Sequence, residues 1–165
     1  MNAIPSHPDA VQPEWLSERL RQAQLLADGA VTEIRWEAIG TGQVGDSVRF
    51  HLSYDPPGAG PATVAGKFPA ADETSWGTAG AFRLYAKEVG FYREIAPHLA
   101  MRVPQVLAAE IAPDNIEFVL IFEDLGPARG GNQLASCTIA DARAAIRQAA
   151  AIHAPSWGNA ALTDL

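Results

Sequence analysis

The residues best suited to chemistry in this chain are three glycines and a lysine. Gly40, Gly42 and Gly45 form G-x-G-x-x-G within Ile39-Gly-Thr-Gly-Gln-Val-Gly45, and Lys67 follows in Thr63-Val-Ala-Gly-Lys-Phe68. Glycines at that spacing let backbone amides approach phosphate oxygens, and a lysine supplies the charge those oxygens need. Two kinds of phosphate-binding loop share the spacing, and the residues after the glycines separate them. One kind leads straight into a helix, so that the phosphate rests on the helix N-terminus. Here Val48, Phe50, Leu52 and Tyr54 alternate with Ser47, Arg49, His51 and Ser53, and a period of 2 predicts a strand. Before the loop, Ile34 and Trp36 alternate with Glu33, Arg35 and Glu37, which predicts a second strand. Strand, glycine loop, strand is a flap whose amides can cover phosphates.

This is the arrangement of kinase glycine loops, and Lys67 agrees with it. Asp55-Pro-Pro-Gly-Ala-Gly-Pro61 is turn-rich, and Thr63 to Phe68 reads as a third strand. Lysine is disfavoured in such an apolar run, and this chain has only Lys67 and Lys87 among its 12 basic residues. An edge-strand lysine can also guard against aggregation. The loop in front of Lys67 favours a cation that meets nucleotide phosphates.

Pro13-Glu-Trp-Leu16 starts a helix predicted over 13–28, with Trp15, Leu16, Leu20, Ala23 and Leu26 or Ala27 as its apolar stripe and Asp28-Gly29 as its end. Ser75 to Gly80 reads as a loop. Phe82, Tyr85, Val89, Tyr92 and Ala96 then mark a buried helical face, ended by Pro97. Glu88 lies beside that face, and Glu94 is a competing carboxylate nearly two turns on. Val103 to Ile111 and Ile116 to Phe122 predict two more strands around an Ala112-Pro-Asp-Asn115 turn. Glu123-Asp-Leu-Gly126 follows at once. Gly126 to Ser136 reads as a linker, and Thr138-Ile-Ala-Asp141 as the cap of a helix that runs to Ala154 and is stopped by Pro155. Ile139, Ala142, Ile146, Ala150 and His153 share one face of it, with His153 read as a packed histidine.

The 165 residues suit one ordinary domain or two small lobes. Apolar residues make up 48% and charged residues 19%, the balance of a globular protein. A net charge of −7 argues against nucleic-acid and anionic-membrane partners. The single cysteine, Cys137, excludes an internal disulfide and has no metal-ligand spacing. Met1 to Pro13 lacks the apolar core of a secretion signal, so the expected location is cytoplasmic.

In order and spacing, these segments resemble the aminoglycoside phosphotransferase and choline-kinase-like superfamily, nearest to its ecdysteroid-kinase-like branch. The residues that carry the resemblance are Pro13-Glu-Trp-Leu16, Gly40-Thr-Gly-Gln-Val-Gly45, Lys67, Glu88-Val-Gly-Phe-Tyr92, Val103-Pro104, Phe122-Glu-Asp-Leu125 and His153-Ala-Pro-Ser-Trp157. The resemblance implies an α+β fold: a protein-kinase-like N-lobe over 1–125, with an antiparallel sheet of about five strands plus a helix. Residues 126–165 would be the linker and the first helix of a C-lobe. It implies ATP as the nucleotide, with Gly40, Thr41, Gly42, Gln43, Val44 and Gly45 over the phosphates and Lys67 on the α- and β-phosphates. Glu88 would orient Lys67, and the backbone of Glu123, Asp124 and Leu125 would hold adenine.

The family also uses a His-Gly-Asp catalytic loop and a downstream metal-binding aspartate, and this sequence has neither. The only aspartate beyond Asp141 is Asp164, in a Thr-Asp-Leu setting that does not match. No catalytic residue and no metal ligand is therefore assigned. The expected function is the ATP-binding N-terminal part of a small-molecule O-phosphotransferase, inactive as it stands. Mg2+ and a hydroxyl-bearing acceptor would belong to the longer parent. The alternative is a natural half-kinase that binds nucleotide or a partner without catalysis. A Rossmann oxidoreductase fails on the strand after Gly45.

Overall fold

The computed structural model describes residues 4–40, 44–128, 131 and 134–160. Its strands are β1 (Ala30–Ala38), β2 (Gly45–Asp55), β3 (Thr63–Pro69), β4 (Val106–Ile111) and β5 (Phe118–Glu123). They form one open sheet in the order β1-β2-β3-β5-β4, and every neighbouring pair is antiparallel. The helices are α1 (Pro13–Gln22), α2 (Glu73–Ala81), α3 (Leu84–Gly90) and α4 (Ile139–Ser156). The fold is α+β, as the sequence predicts.

Alternation along the strands gives the sheet two apolar faces. Val48, Phe50, Val64, Phe68, Val119 and Ile121 meet Leu16, Leu20 and Leu26 on the α1 face. Phe118, Leu120 and Phe122 meet Ala79, Tyr85 and Val89 on the face of α2 and α3. β5 lies between the two clusters, which is why Phe118 to Phe122 read as an unbroken apolar run. Ser17 ties α1 to the sheet: its hydroxyl donates to the Pro13 carbonyl and accepts from the Val31 amide at 2.8 Å. The β4–β5 turn closes through Asn115, at φ +63°, while the Asp114 carboxylate accepts from the Ile116 amide.

Several boundaries differ from the sequence reading. The first helix ends at Gln22 and does not run to Asp28. Gln24 turns left-handed at φ +61°, the Leu25 amide donates to the Leu20 carbonyl, and the Gln24 amide donates to Arg21. That double bond pattern terminates a helix without glycine, and Leu25 turns back toward the core beside Leu20. The segment around Ser75 is helical, not a loop, because the Asp72 side chain caps the Ser75 amide at 2.7 Å. Consequently Phe82 lies at the end of α2, 64% exposed, instead of on the buried face of the next helix. Arg83, at φ +52°, separates α2 from α3, and α3 passes into a π-helical turn, Phe91–Ile95.

Thr138 and Asp141 form the expected capping box at the start of α4. The helix continues through Pro155 to Ser156, since a proline in the last turn forfeits only one helical bond. No residue of α4 is buried: Ile139 and Ile146 are exposed, and so is His153, contrary to its reading as a packed histidine. Among the described residues, no helix is long and apolar enough to cross a membrane.

Candidate functional site

Val64, Gly66 and Phe68 point from β3 into the α1 face, so the pleat turns Ala65 and Lys67 toward α3. On α3, Tyr85 and Val89 anchor the helix to the sheet, and Glu88 sits between them at the edge of the contact. The Lys67 ammonium donates to both Glu88 carboxylate oxygens, each at 2.7 Å. Both side chains remain about a quarter exposed, so water reaches the pair. Glu94, the competing carboxylate, is exposed on the following turn.

The glycine segment joins β1 to β2, and its last glycine, Gly45, lies against the Lys67 stem. The Ile39 amide donates to the Ser47 carbonyl at 2.8 Å and closes the base of the loop. Gly40 has φ +77°, a conformation that favours glycine. Thr41, Gly42 and Gln43 lie outside the described residues. Val44 packs against the cluster that holds Phe122 and Ala65. Gly45 is buried, and a Cβ there would stand 3.1 Å from Lys67 Cε and 3.1 Å from the Phe68 carbonyl oxygen. A side chain at 45 would therefore press on the lysine stem. Glycine at 45 thus leaves the Lys67 stem its full clearance at the start of β2.

The segment after β5 is held by charges. The Glu123 amide donates to the Gln105 carbonyl, and its carboxylate accepts from the Gln105 amide and from Arg102, each at 2.9 Å. The Gln105 amide, and then the Arg102 guanidinium, hold this carboxyl below its usual range. Asp124 Oδ2 accepts from Arg49 Nε at 2.6 Å, and Oδ1 accepts from Arg49 Nη2 at 3.3 Å and from the Gly126 amide at 3.0 Å. The Arg49 hydrogen bonds hold the Asp124 carboxyl down to about 2. Leu125 is exposed.

The structure thus brings Gly45, Lys67 and Glu88 together and sets Val44 beside them. Glu123, Asp124 and Leu125 stand apart from that group, at the far end of β5. Arg49 is the residue that sequence reading missed. Its only local signal is a place on the same face as Ser47 and opposite Glu37, with which it also pairs at 3.4 Å. Nothing in the sequence connects it to Asp124, 75 positions on.

Two surface hollows lie near the loop, and neither contains the ion pair. One of about 580 Å³ is lined by Ala70, Ala71, Glu73, Trp76 and Gly77; one of about 370 Å³ lies behind Gly40 and Gly45, against Trp36 and Ile39. The ion pair needs neither hollow, because amides and a lysine can hold phosphate at an open surface. Among the described residues, no group of three or more His, Cys, Asp or Glu side chains could hold a metal ion. No family model matches this chain, and no curated protein matches it.

Proposed function

We propose that this chain is the nucleotide-holding part of an ATP-dependent small-molecule phosphotransferase, with a protein-kinase-like N-lobe over 1–125. The observation that carries the reading is the Lys67–Glu88 pair under Gly45. A lysine fixed by a carboxylate from α3 is pre-organised to meet phosphate oxygens, and the glycine loop would bring amides to the same phosphates. The rival glycine motif requires a helix after the third glycine, and β2 occupies that place.

In this reading Lys67 contacts the α- and β-phosphates, Glu88 keeps the ammonium pointing at them, and Gly40 to Gly45 cover them. The backbone of Glu123 to Leu125 meets the base. Among the described residues, no group of three or more His, Cys, Asp or Glu side chains offers a site for magnesium. The sequence also holds no His-Gly-Asp segment to orient an acceptor hydroxyl. Binding without turnover is the activity proposed for these 165 residues, with a hydroxyl-bearing acceptor belonging to a longer parent. A non-catalytic half-kinase would use the same site.

Calorimetric titration with ATP tests the reading. Saturable binding to the wild-type chain, weakened about tenfold or more in Lys67→Ala, is the expected result. Equal affinity in both forms, or no binding by the wild type, contradicts it.

A further inference from the structure

We infer that Arg49 is a positioning residue for the base end of this site, an inference that rests on the nucleotide reading above. Ser47 pairs with Lys67 across β2 and β3, and Arg49 pairs with Ala65. Strand alternation therefore places Ser47, Arg49, Ala65 and Lys67 on one face, while Val48 and Phe50 fill the other. On β5, Ala65 is opposite Phe122, so Arg49, Ala65 and Phe122 form a row across three strands. That row lies two residues, about 7 Å, from the row of Lys67. Asp124 comes two residues after Phe122.

The Arg49 side chain must cross β3 to reach Asp124, and the small Ala65 side chain beneath it leaves room. The fork makes two charge-assisted bonds, the arrangement that best fixes both distance and angle. Asp124 is 11% exposed and Arg49 31%, so the pair is partly shielded from water. A third bond, from the Gly126 amide to Asp124 Oδ1, carries the constraint into the backbone after β5. One ion pair thus joins the strand that leaves the glycine loop to the segment proposed to meet the base. The strip of surface between Lys67 and this pair is floored by Ala65 and walled by Phe122 and Val44. Arg49 sets its outer limit. Glu37, at 3.4 Å from Arg49 Nη1, is a weaker competitor.

The test compares ATP with inorganic tripolyphosphate, a probe that has phosphates and no base, on the 165-residue chain. Wild type is expected to bind ATP more tightly than tripolyphosphate. Arg49→Met and Asp124→Asn should each weaken ATP about tenfold and leave tripolyphosphate unchanged. A general loss of folding would weaken both, so the difference between ligands isolates the base end. Exchanging the charges, Arg49→Asp with Asp124→Arg, should recover part of the ATP affinity. Where Arg49→Met does not fold, Arg49→Lys carries the test, since it keeps the charge and loses the fork; it should weaken ATP alone. Unchanged ATP affinity, or equal losses for both ligands in a folded variant, overturns the role of Arg49. A wild type that binds tripolyphosphate but favours ATP no further also overturns it. A wild type that binds neither ligand overturns the nucleotide reading itself.

Discussion

Lys67 and Glu88, 21 residues apart, meet with the ammonium 2.7 Å from both carboxylate oxygens. The contact joins β3 to α3 at a point that water still reaches. It therefore orients a charge more than it stabilises the fold. An exposed or half-exposed ion pair contributes about 0–1 kcal/mol, because water screens it and two long side chains lose freedom.

Glu88→Gln separates these two roles. The glutamine keeps the size of the side chain and removes the charge that steers Lys67. ATP affinity is expected to fall about tenfold, while thermal stability shifts by less than about 1 kcal/mol. Calorimetry and a thermal melt on the same sample check both. A large drop in melting temperature with unchanged affinity would make the pair a structural strut.

Gly45→Ala tests the close approach of the loop to the lysine. The added methyl meets a carbonyl oxygen that cannot move freely and a lysine stem that can. Overpacking of this kind costs about 1–3 kcal/mol, and the yielding lysine sets the expected loss at the low end. ATP binding should weaken as Lys67 is pushed from Glu88. Unchanged stability and unchanged affinity together would contradict the geometry.

Ser17→Ala probes how α1 is docked. Its hydroxyl is the buried partner of the Val31 amide, and alanine leaves that donor unsatisfied. Denaturant unfolding is expected to show a loss of about 1–3 kcal/mol. Nucleotide affinity should not change, because Ser17 lies on the face of the sheet away from Lys67.

Asp124 gives a pH signature. Its native carboxyl titrates at about 2, against an ordinary value of 3.8. A depressed pKa adds stability that is present above the ordinary value and is lost as pH falls through about 2. Wild type should therefore lose stability progressively from about pH 4 to pH 2, and Asp124→Asn should lose less over that window. Glu123 adds a smaller loss of the same sign, since its carboxyl is also held low. Parallel stability curves for wild type and Asp124→Asn would contradict the Arg49–Asp124 pairing.

Much of this arrangement was legible because it is written in local periods. The alternation from Val48 to Tyr54, the apolar run ending at Phe122 and the Thr138–Asp141 cap each name their own element. Lys67 stood out as a charge in an apolar strand, and Glu88 as a carboxylate at the edge of the Tyr85–Val89 stripe. Three features were not legible, for physical reasons. Gln24 ends α1 in a left-handed conformation that glycine or asparagine usually marks. The glycines of 75–80 hid a helix whose cap, Asp72, lies upstream. The Arg49–Asp124 pair spans 75 residues and depends on strand register, which no local pattern carries.

Amide chemical shifts recorded during titration with ATP test the central claim most directly. The account predicts shifts concentrated at Gly40, Val44 and Gly45, at Lys67, and at Asp124 to Gly126. It predicts little change along α1 or α4. Loss of the glycine-loop and Lys67 shifts in Lys67→Ala, with the rest of the spectrum preserved, would complete the result. Shifts confined to His7, Trp36 and Ala38 on the far wall of the second hollow, or a spectrum unmoved by ATP, would contradict a nucleotide site built on Lys67 and Glu88.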